Sequence, residues 1–180
     1  GEWMDAKELY LLTVRENGIS ESEYAKLRSD EKLLLEEKNK KYWLNGNERG
    51  KFKVVLTGGV FDILHIGHAL TLQKARELGE LLVVVVTTNE RVERIKGKKP
   101  IHDADYRRAM VSSLKWADAA IVGASNIMDT FERVKPDIVA FGYDQKPFPL
   151  PAPAKSVHLT EVKADESMAK TSRIIRDLGL

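Results

Sequence analysis

Apolar residues in this chain form short uninterrupted runs, separated by stretches in which they recur at helical spacing. A run such as 81–88, Leu-Leu-Val-Val-Val-Val-Thr-Thr, is typical of a strand that is covered on both faces, as in a parallel sheet. Strands are predicted at 53–56, 81–88, 119–122, 137–141 and 157–162. Helices are predicted after the first strand up to Gly79, and at 89–95, 104–115, 127–134 and 171–178. Strands that alternate with helices predict an α/β fold with a doubly wound parallel sheet.

The first 50 residues follow a different pattern. A helix at 5–17 is followed by a second helix that a capping box at 20–23 opens, and then by a strand–turn–strand pattern over 33–44. This order resembles a small winged-helix module. Residues 45–50, Asn-Gly-Asn-Glu-Arg-Gly, predict a linker. The predicted organisation is therefore a winged-helix-like appendage at 1–50 and a main domain at 51–180.

Composition narrows the class of protein. The chain has 180 residues, 43% of them apolar, which suits a packed globular core. It has no cysteine, so disulfide bonds and thiolate metal sites are excluded. The absence of cysteine also favours an intracellular location. No stretch approaches the roughly 18 apolar residues of a membrane span, and no basic-then-apolar leader opens the chain. We therefore expect a cytoplasmic protein that does not contact a membrane.

The formal net charge of +2 is unevenly distributed. Residues 1–50 carry a slight acidic excess and residues 51–180 a basic one. The acidic appendage argues against a surface that faces DNA, and the modest basic excess elsewhere suits a small anionic molecule. We therefore expect small-molecule substrates rather than nucleic acid.

Candidate chemistry lies directly after the first predicted strand, in the run 57–68, Thr-Gly-Gly-Val-Phe-Asp-Ile-Leu-His-Ile-Gly-His. A strand, a glycine-containing turn and a helix start together offer backbone N–H groups to an anion. His65 and His68 fall on one side of the first helical turn and can donate hydrogen bonds to the same phosphate. A chance turn with two capping histidines is one alternative, and a zinc site is another. Because tight structural zinc sites use four ligands, we expect no metal bound by protein side chains.

The ten residues Gly59-Val60-Phe61-Asp62-Ile63-Leu64-His65-Ile66-Gly67-His68 resemble a known signature, Gly-x-Phe-Asp-x-x-His-x-Gly-His. It marks the cytidylyltransferase-like branch of the HIGH-motif nucleotidyltransferase superfamily. The resemblance implies a Rossmann-like fold and the transfer of a nucleotidyl group from a nucleoside triphosphate to a phosphorylated acceptor, with release of pyrophosphate. It also implies Mg²⁺ that arrives with the triphosphate, and a homodimer.

The resemblance assigns roles to individual residues. His65, His68, Lys96 and Arg107 match catalytic positions, with the histidines on the transferred phosphate and Arg107 as a bidentate phosphate ligand. The positions that it implies for nucleotide binding are Thr57, Gly58, Gly59, Phe61, Gly67, His68, Gly142, Asp144, Thr171 and Ser172. It leaves Asp62 with an orienting or helix-capping role, and it leaves Asp118 with a structural one.

Within the superfamily, the runs 94–101, 107–111, 135–139 and 142–145 look most like archaeal-type FAD synthases, which adenylylate FMN. Cytidylyl transfer from CTP to glycerol 3-phosphate, or to a similar phosphorylated polyol, is the alternative reaction. An alternative of another class is a nucleotide-sensing regulator that carries a winged helix and has lost catalysis. The presence of both motif histidines favours an enzyme.

Overall fold

The computed structural model of the protein describes residues 3–159, which group into two compact units that divide between Lys53 and Val54. Each unit is described by itself. The last predicted helix, with Thr171 and Ser172, and the end of the last predicted strand lie outside the described residues. Within residues 3–159, no helix combines the length and the apolar character that a membrane span requires.

The N-terminal unit consists of short helices and one hairpin. Its elements are α1 (Ala6–Glu16), α2 (Glu21–Ala25), α3 (Ser29–Lys32), β1 (Leu35–Lys38), β2 (Lys41–Leu44) and α4 (Gly46–Arg49). Asp5 and Ser20 form capping boxes with Glu8 and Glu23, so the predicted starts of α1 and α2 are confirmed. The likeness to a winged helix stays a prediction.

The hairpin pairs β1 with β2 in antiparallel register, with Leu35 opposite Leu44. Asn39 and Lys40 both have positive φ, the backbone sign of a two-residue type I′ turn, whose twist matches that of the flanking strands. The first strand was predicted to start at Leu33. That side chain is 80% exposed and lies before β1, so the predicted start is two residues too early.

The predicted linker at 45–50 is wrong, because residues 46–49 form helix α4. The Asn45 side chain caps this helix by accepting from the backbone N–H of Glu48. Arg49 is buried, its guanidinium carbon lies 5.3 Å from the ring centroids of both Tyr10 and Phe52, and it donates to the Phe52 carbonyl. Helix α4 and Phe52 therefore belong to the core of the N-terminal unit.

The second unit confirms the predicted α/β fold. Its strands are β3 (Val54–Gly59), β4 (Leu81–Val86), β5 (Ala119–Val122), β6 (Ile138–Phe141) and β7 (Lys155–His158). Its helices are α5 (Ile66–Arg76), α6 (Asn89–Lys96), α7 (Ala104–Ser112) and α8 (Ile127–Val134). The strands lie in the order β5-β4-β3-β6-β7, and every neighbouring pair is parallel. The strand order reverses between β3 and β6, and in such sheets ligands bind at the carboxyl ends of the strands near that point.

Two aspartates set the register of the strands at their amino ends, opposite the end where ligands bind. Asp118 accepts from the backbone N–H of Leu82 at 2.7 Å, and Asp137 accepts from that of Val54 at 2.8 Å. Each aspartate directly precedes one strand and holds the start of a neighbouring strand. Asp118 also pairs with Arg76 at 2.8 Å, which confirms its predicted structural role.

Helix α5 ends differently from the prediction. Its last helical residue is Arg76, and its C-cap, Glu77, keeps a right-handed conformation. Gly79 follows two residues later, and its carbonyl accepts from the Arg76 guanidinium at 2.8 Å. Gly79 therefore lies in the connection to β4 and does not cap the helix.

Candidate active site

The signature run joins the carboxyl end of β3 to the start of α5. The strand continues through Thr57, Gly58 and Gly59, so the glycines that were predicted to form the turn are its last residues, and the turn begins at Val60. His65 is the N-cap of α5. The Thr57 hydroxyl is buried and donates to the Ala140 carbonyl at 2.9 Å, so this side chain links β3 to β6.

Gly59 and Phe61 shape the turn. A Cβ atom on Gly59 would lie 2.9 Å from the Phe61 ring, closer than packed carbon atoms approach, so a larger residue there would displace the ring. Phe61 has a φ of +52°, a left-handed conformation that costs a bulky residue roughly 1–2 kcal/mol. This backbone turns the buried ring under Gly59 and towards His68, with 5.2 Å between the Phe61 and His68 ring centroids. Phe61 therefore supports the histidine from the protein side.

His65 and His68 are brought together as the sequence predicts. Their rings stack with centroids 3.9 Å apart, at the N-terminus of α5. The backbone N–H of His65 donates to Nδ1 of His68 at 3.4 Å, so in neutral His68 the ring proton lies on Nε2. Within residues 3–159, Nδ1 of His65 is buried and has no hydrogen-bond partner. The pair can thus present N–H donors beside the backbone amides of the first turn of α5.

Both histidines are neutral at pH 7. The pKa of His68 is lowered to about 4, chiefly by burial and in addition by electrostatic repulsion from the neighbouring His65 and Lys96. Burial also lowers the pKa of His65. In their neutral form the histidines can each donate one ring N–H. A bound phosphate would favour protonation, since an adjacent negative charge raises the pKa of an imidazole.

A cavity of about 690 Å³ opens at the carboxyl ends of the strands. Its lining includes the ends of β3, β4 and β6, at Gly58, Val85 and Phe141. Lys96, in the last turn of α6, and Asp144, in the loop after β6, contribute charged groups of opposite sign. The predicted Lys96 and Asp144 therefore share one cavity with the end of the signature strand.

Asp62 has the orienting role. One carboxylate oxygen accepts from the backbone N–H of Ile101 at 2.8 Å, and the other accepts from that of His102 at 2.9 Å. Nδ1 of His102 lies 3.0 Å from the Asp62 carbonyl. Asp62 thus ties the signature turn to the loop that precedes α7.

Within residues 3–159, the Arg107 guanidinium donates to protein acceptors. It is fully buried, and NH1 donates to the carbonyls of Val60 and Thr87, each at 2.8 Å. Nε donates to the His102 carbonyl at 2.9 Å, and NH2 donates to Asn89 at 2.6 Å. The guanidinium thus joins the signature turn, the end of β4 and the loop before α7. These contacts indicate that Arg107 positions the three segments, and the bidentate phosphate contact stays a prediction.

Residues 56–174 match the model of the family described as cytidylyltransferase-like, which spans well over half of the chain. The chain belongs to the cytidylyltransferase-like family. This match confirms the resemblance that the signature indicates. It also places the two histidines within the matched segment of a nucleotidyltransferase domain.

Three curated relatives show how this member of the cytidylyltransferase-like family compares. The FAD synthase of Aciduliprofundum boonei is 55% identical over 93 residues, which cover 51% of this chain and 62% of the relative. The FAD synthase of Thermococcus sibiricus is 39% identical over 136 residues, 69% of this chain and 90% of the relative. The FAD synthase of Pyrococcus abyssi is 34% identical over 142 residues, 73% of this chain and 93% of the relative. The match thus spans less than two thirds of the first of these relatives.

A solved structure supports the fold. The crystal structure of the lipopolysaccharide core biosynthesis protein from Thermoplasma volcanium GSS1 aligns with a TM-score of 0.57 at 40% sequence identity. The alignment covers 62% of this chain and 99% of that one. The parallel sheet described above is therefore shared with a structure of similar sequence.

The cytidylyltransferase-like site includes one residue that sequence reasoning missed. Gln145 ends the tight turn after β6 and contacts both that turn and β3. The run Gly142-Tyr143-Asp144-Gln145 drew attention to Gly142 and Asp144 alone. The signal in the sequence was a glutamine directly after Asp144, because its carboxamide can both donate and accept hydrogen bonds within the loop. Within residues 3–159, no group of three or more potential side-chain ligands is placed to hold a metal ion.

The depressed pKa of His68 predicts a stability change at mildly acidic pH. An unfolded histidine titrates near 6.5, whereas folded His68 titrates at about 4, so the unfolded state binds more protons between these values. The free energy of unfolding should therefore fall by roughly 2 kcal/mol from this group as the pH drops from 6.5 to 4.5. Urea denaturation of wild type and His68→Gln at pH 7, 5.5 and 4.5 measures this contribution. Parallel pH dependences for the two proteins would contradict it.

Proposed function

We propose that this chain is an FMN adenylyltransferase, which transfers AMP from ATP to the phosphate of FMN and releases pyrophosphate, giving FAD. The observation that carries the nucleotidyl transfer is the stacked His65–His68 pair at the N-terminus of α5, beside the carboxyl ends of the strands. Support for FMN and ATP comes from the FAD synthases that are 34–55% identical to this chain. The relatives supply the identity of both substrates, and the geometry supplies the type of reaction.

In this reaction an oxygen of the FMN phosphate attacks the α-phosphorus of ATP. A new P–O bond forms while the bond to the bridging oxygen breaks, and pyrophosphate leaves with that electron pair. The attacking phosphate is already ionised, so no side-chain nucleophile or general base is required. The protein must hold the two phosphates in line and stabilise the charge that grows on the oxygens.

The described residues can divide this task. His65 and His68 donate to the α-phosphate oxygens, together with backbone N–H groups at the start of α5, where Gly67 leaves room for close approach. Lys96 places a positive charge at the cavity for the leaving pyrophosphate. These groups act on charge that is largest in the transition state, so they should affect turnover more than affinity.

The nucleotide lies, in this proposal, against the ends of β3 and β6. Gly58 and Gly59 leave space for the nucleotide at the end of β3, and the turn that starts at Gly142 borders it. Asp144 accepts from the ribose hydroxyls. Thr171 and Ser172, which lie outside the described residues, are proposed to donate to the β- and γ-phosphates.

Magnesium is proposed to enter with ATP. Mg²⁺ keeps several waters and is commonly held by substrate phosphates with few protein ligands. It would neutralise charge on the triphosphate and favour departure of pyrophosphate. The histidines and Lys96 would act on the same phosphates from the protein side.

A matrix of substrates tests the reaction. Pyrophosphate release is measured with ATP or CTP, each combined with FMN or glycerol 3-phosphate, in the presence of Mg²⁺. We expect release with ATP and FMN together and only background with the other three pairs. Release with CTP and glycerol 3-phosphate would replace the proposal by cytidylyl transfer. Binding of a nucleotide without release under any condition would favour a sensor.

We propose that the N-terminal unit takes no part in the chemistry, since every group assigned to phosphate or nucleotide lies after Val54. A deletion of residues 1–52 should keep turnover within about threefold of the full chain, the scale of a change below 1 kcal/mol. The cut follows Phe52 because its ring packs edge-on against Tyr10 with centroids 5.6 Å apart. Steady-state kinetics on the folded deletion protein measures this turnover. Loss of turnover with an intact sheet by circular dichroism would assign the unit to the site.

We also propose a cytoplasmic homodimer, as the resemblance implies. Sedimentation equilibrium of the full chain tests the assembly. A single species of 20.3 kDa across a wide concentration range would contradict the dimer.

A further inference from the structure

One residue, Gln145, contacts the ends of three neighbouring strands, β3 and β6 through its side chain and β7 through its backbone carbonyl. Oε1 of Gln145 accepts from the backbone N–H of Gly142 at 2.8 Å, and its Nε2 donates to the Gly58 carbonyl at 2.9 Å. The Gln145 carbonyl lies 3.1 Å from Nε2 of His158, the last residue of β7. We call the two bonds of the carboxamide, to Gly142 and Gly58, the Gln145 clasp.

The clasp lies where the pairing of β3 with β6 ends. The pairing of β3 with β6 ends at Thr57 opposite Ala140, although β3 continues for two more residues. The next carbonyl of β3, on Gly58, therefore lies beyond the last pair, and the Gln145 amide supplies its donor. The side chain thus extends the contact between the two strands by one further hydrogen bond.

The clasp also fixes the loop that reaches the cavity. Gly142 and Gln145 close a tight turn, because the Gln145 N–H donates to the Gly142 carbonyl at 3.0 Å while the side chain returns to the Gly142 N–H. Asp144 lies inside this turn, and both Asp144 and Gln145 line the cavity. The position of the Asp144 carboxylate relative to Gly58 thus depends on the carboxamide.

We propose that Gln145 is a positioning residue that sets the distance between Asp144 and the glycine end of β3, and thereby sets the affinity for the nucleotide. The inference rests on the proposed function for the role of Asp144 and goes beyond it in naming the group that holds this carboxylate in place. Contacts to the ribose are present in both the bound ground state and the transition state. Loss of the clasp should therefore raise KM for the nucleotide and leave kcat nearly unchanged.

The test uses the chemical asymmetry of the two bonds. Gln145→Glu keeps the acceptor for the Gly142 N–H, but when ionised it places a second acceptor against the Gly58 carbonyl. When protonated, its hydroxyl can donate to that carbonyl, as the amide does. Because a carboxylate that faces a carbonyl oxygen has a raised pKa, the donor returns as the pH falls towards 5.5.

For Gln145→Glu we expect KM for ATP to be about tenfold above wild type at pH 8, and the ratio to fall below about threefold at pH 5.5. The ratio of kcat to wild type should stay near one at both pH values. Gln145→Met, which removes both polar atoms, should show the tenfold KM increase at every pH. Gln73→Glu, on α5, is the matched control and should show a flat ratio near one.

Several charged groups lie near the clasp, and wild type carries the same groups as the variants. Asp144 and Lys146 lie on the same loop, His158 lies on β7, and Arg91 and Lys96 line the cavity from α6. Taking the ratio to wild type at each pH removes their own titration. If the KM of a single sample of Gln145→Glu returns towards the wild-type value on acidification, the variant is also shown to be folded.

A KM ratio for Gln145→Glu that does not change with pH would overturn the clasp, as would a loss confined to kcat. If wild type makes no FAD from ATP and FMN, the proposed function fails separately. The same variants are then compared by calorimetric Kd for ATP and for CTP. The clasp still predicts that Gln145→Glu binds the nucleotide more weakly than wild type at pH 8 and regains affinity at pH 5.5. Equal Kd values for variant and wild type would overturn it.

Discussion

Replacing His68 with alanine is expected to lower turnover by about two to four decades, the loss typical of removing a donor that acts on transition-state charge. His68 is neutral, and its Nδ1 accepts from the His65 backbone, so its Nε2 carries the proton and can donate to the transferred phosphate. The donated bond strengthens as charge accumulates on that phosphate. Affinity for ATP should change much less, by under about threefold, since the ground-state triphosphate keeps its other partners.

Single-turnover kinetics and calorimetric ATP binding measure the two effects separately. The control is Gln73→Ala, on the same helix, which should keep wild-type turnover. Alanine has the highest helix propensity, so His68→Ala should retain α5, and thermal unfolding checks this. Near-normal turnover combined with a weaker ATP Kd would show that His68 binds the ground state and would remove it from the catalytic role.

Replacing Arg107 with methionine is expected to lower the free energy of unfolding by about 3–5 kcal/mol. The change leaves the half-buried carbonyls of Val60, Thr87 and His102 without the donors of Arg107, and each unsatisfied group costs roughly 1–3 kcal/mol. For a domain of this size the melting temperature should fall by roughly 10 °C. Urea denaturation and thermal unfolding measure the loss.

Arg108→Met is the matched control. Arg108 is the next residue on α7, and its side chain is 38% exposed and pairs only loosely with Asp105, at 3.8 Å. Its loss should change stability by under 1 kcal/mol. If Arg107→Met keeps wild-type stability and instead weakens ATP binding by tenfold or more, Arg107 is the phosphate ligand that the sequence resemblance implied.

The strands of the sheet could be predicted because their signal is local. The run 81–88 is apolar without alternation, and β4 lies centrally in the sheet with neighbours on both sides. The pairing of His65 with His68 was predictable for the same reason, since three positions on a helix determine that two side chains are neighbours. Both features depend on residues that are close together in the chain.

The contacts of Arg107 could not be predicted from the sequence, because its partners come from distant positions. Val60 and Thr87 lie 47 and 20 residues away along the chain, and only the packed fold brings their carbonyls to one guanidinium. An arginine that binds phosphate and an arginine that binds carbonyls look identical in sequence. Burial distinguishes the two, and burial is a tertiary property.

The linker at 45–50 was mispredicted for a different reason. Asparagine and glycine are favoured both in turns and at helix starts, so Asn-Gly-Asn is compatible with either. The structure selects the helix because Arg49 is buried against Tyr10 and Phe52. Gln145 shows the same limitation, since a glutamine in a loop gains a role only when β3 and β6 become neighbours.

Transfer of an α-labelled phosphate tests the central claim most directly. Full-length protein is incubated with ATP that carries ³²P at the α-position, with FMN and Mg²⁺, and the products are separated by chromatography. Attack at the α-phosphorus places the label in the flavin dinucleotide and leaves the released pyrophosphate unlabelled. Label that stays in ATP, or that is recovered in AMP or ADP with no labelled flavin, would contradict nucleotidyl transfer to FMN at this site.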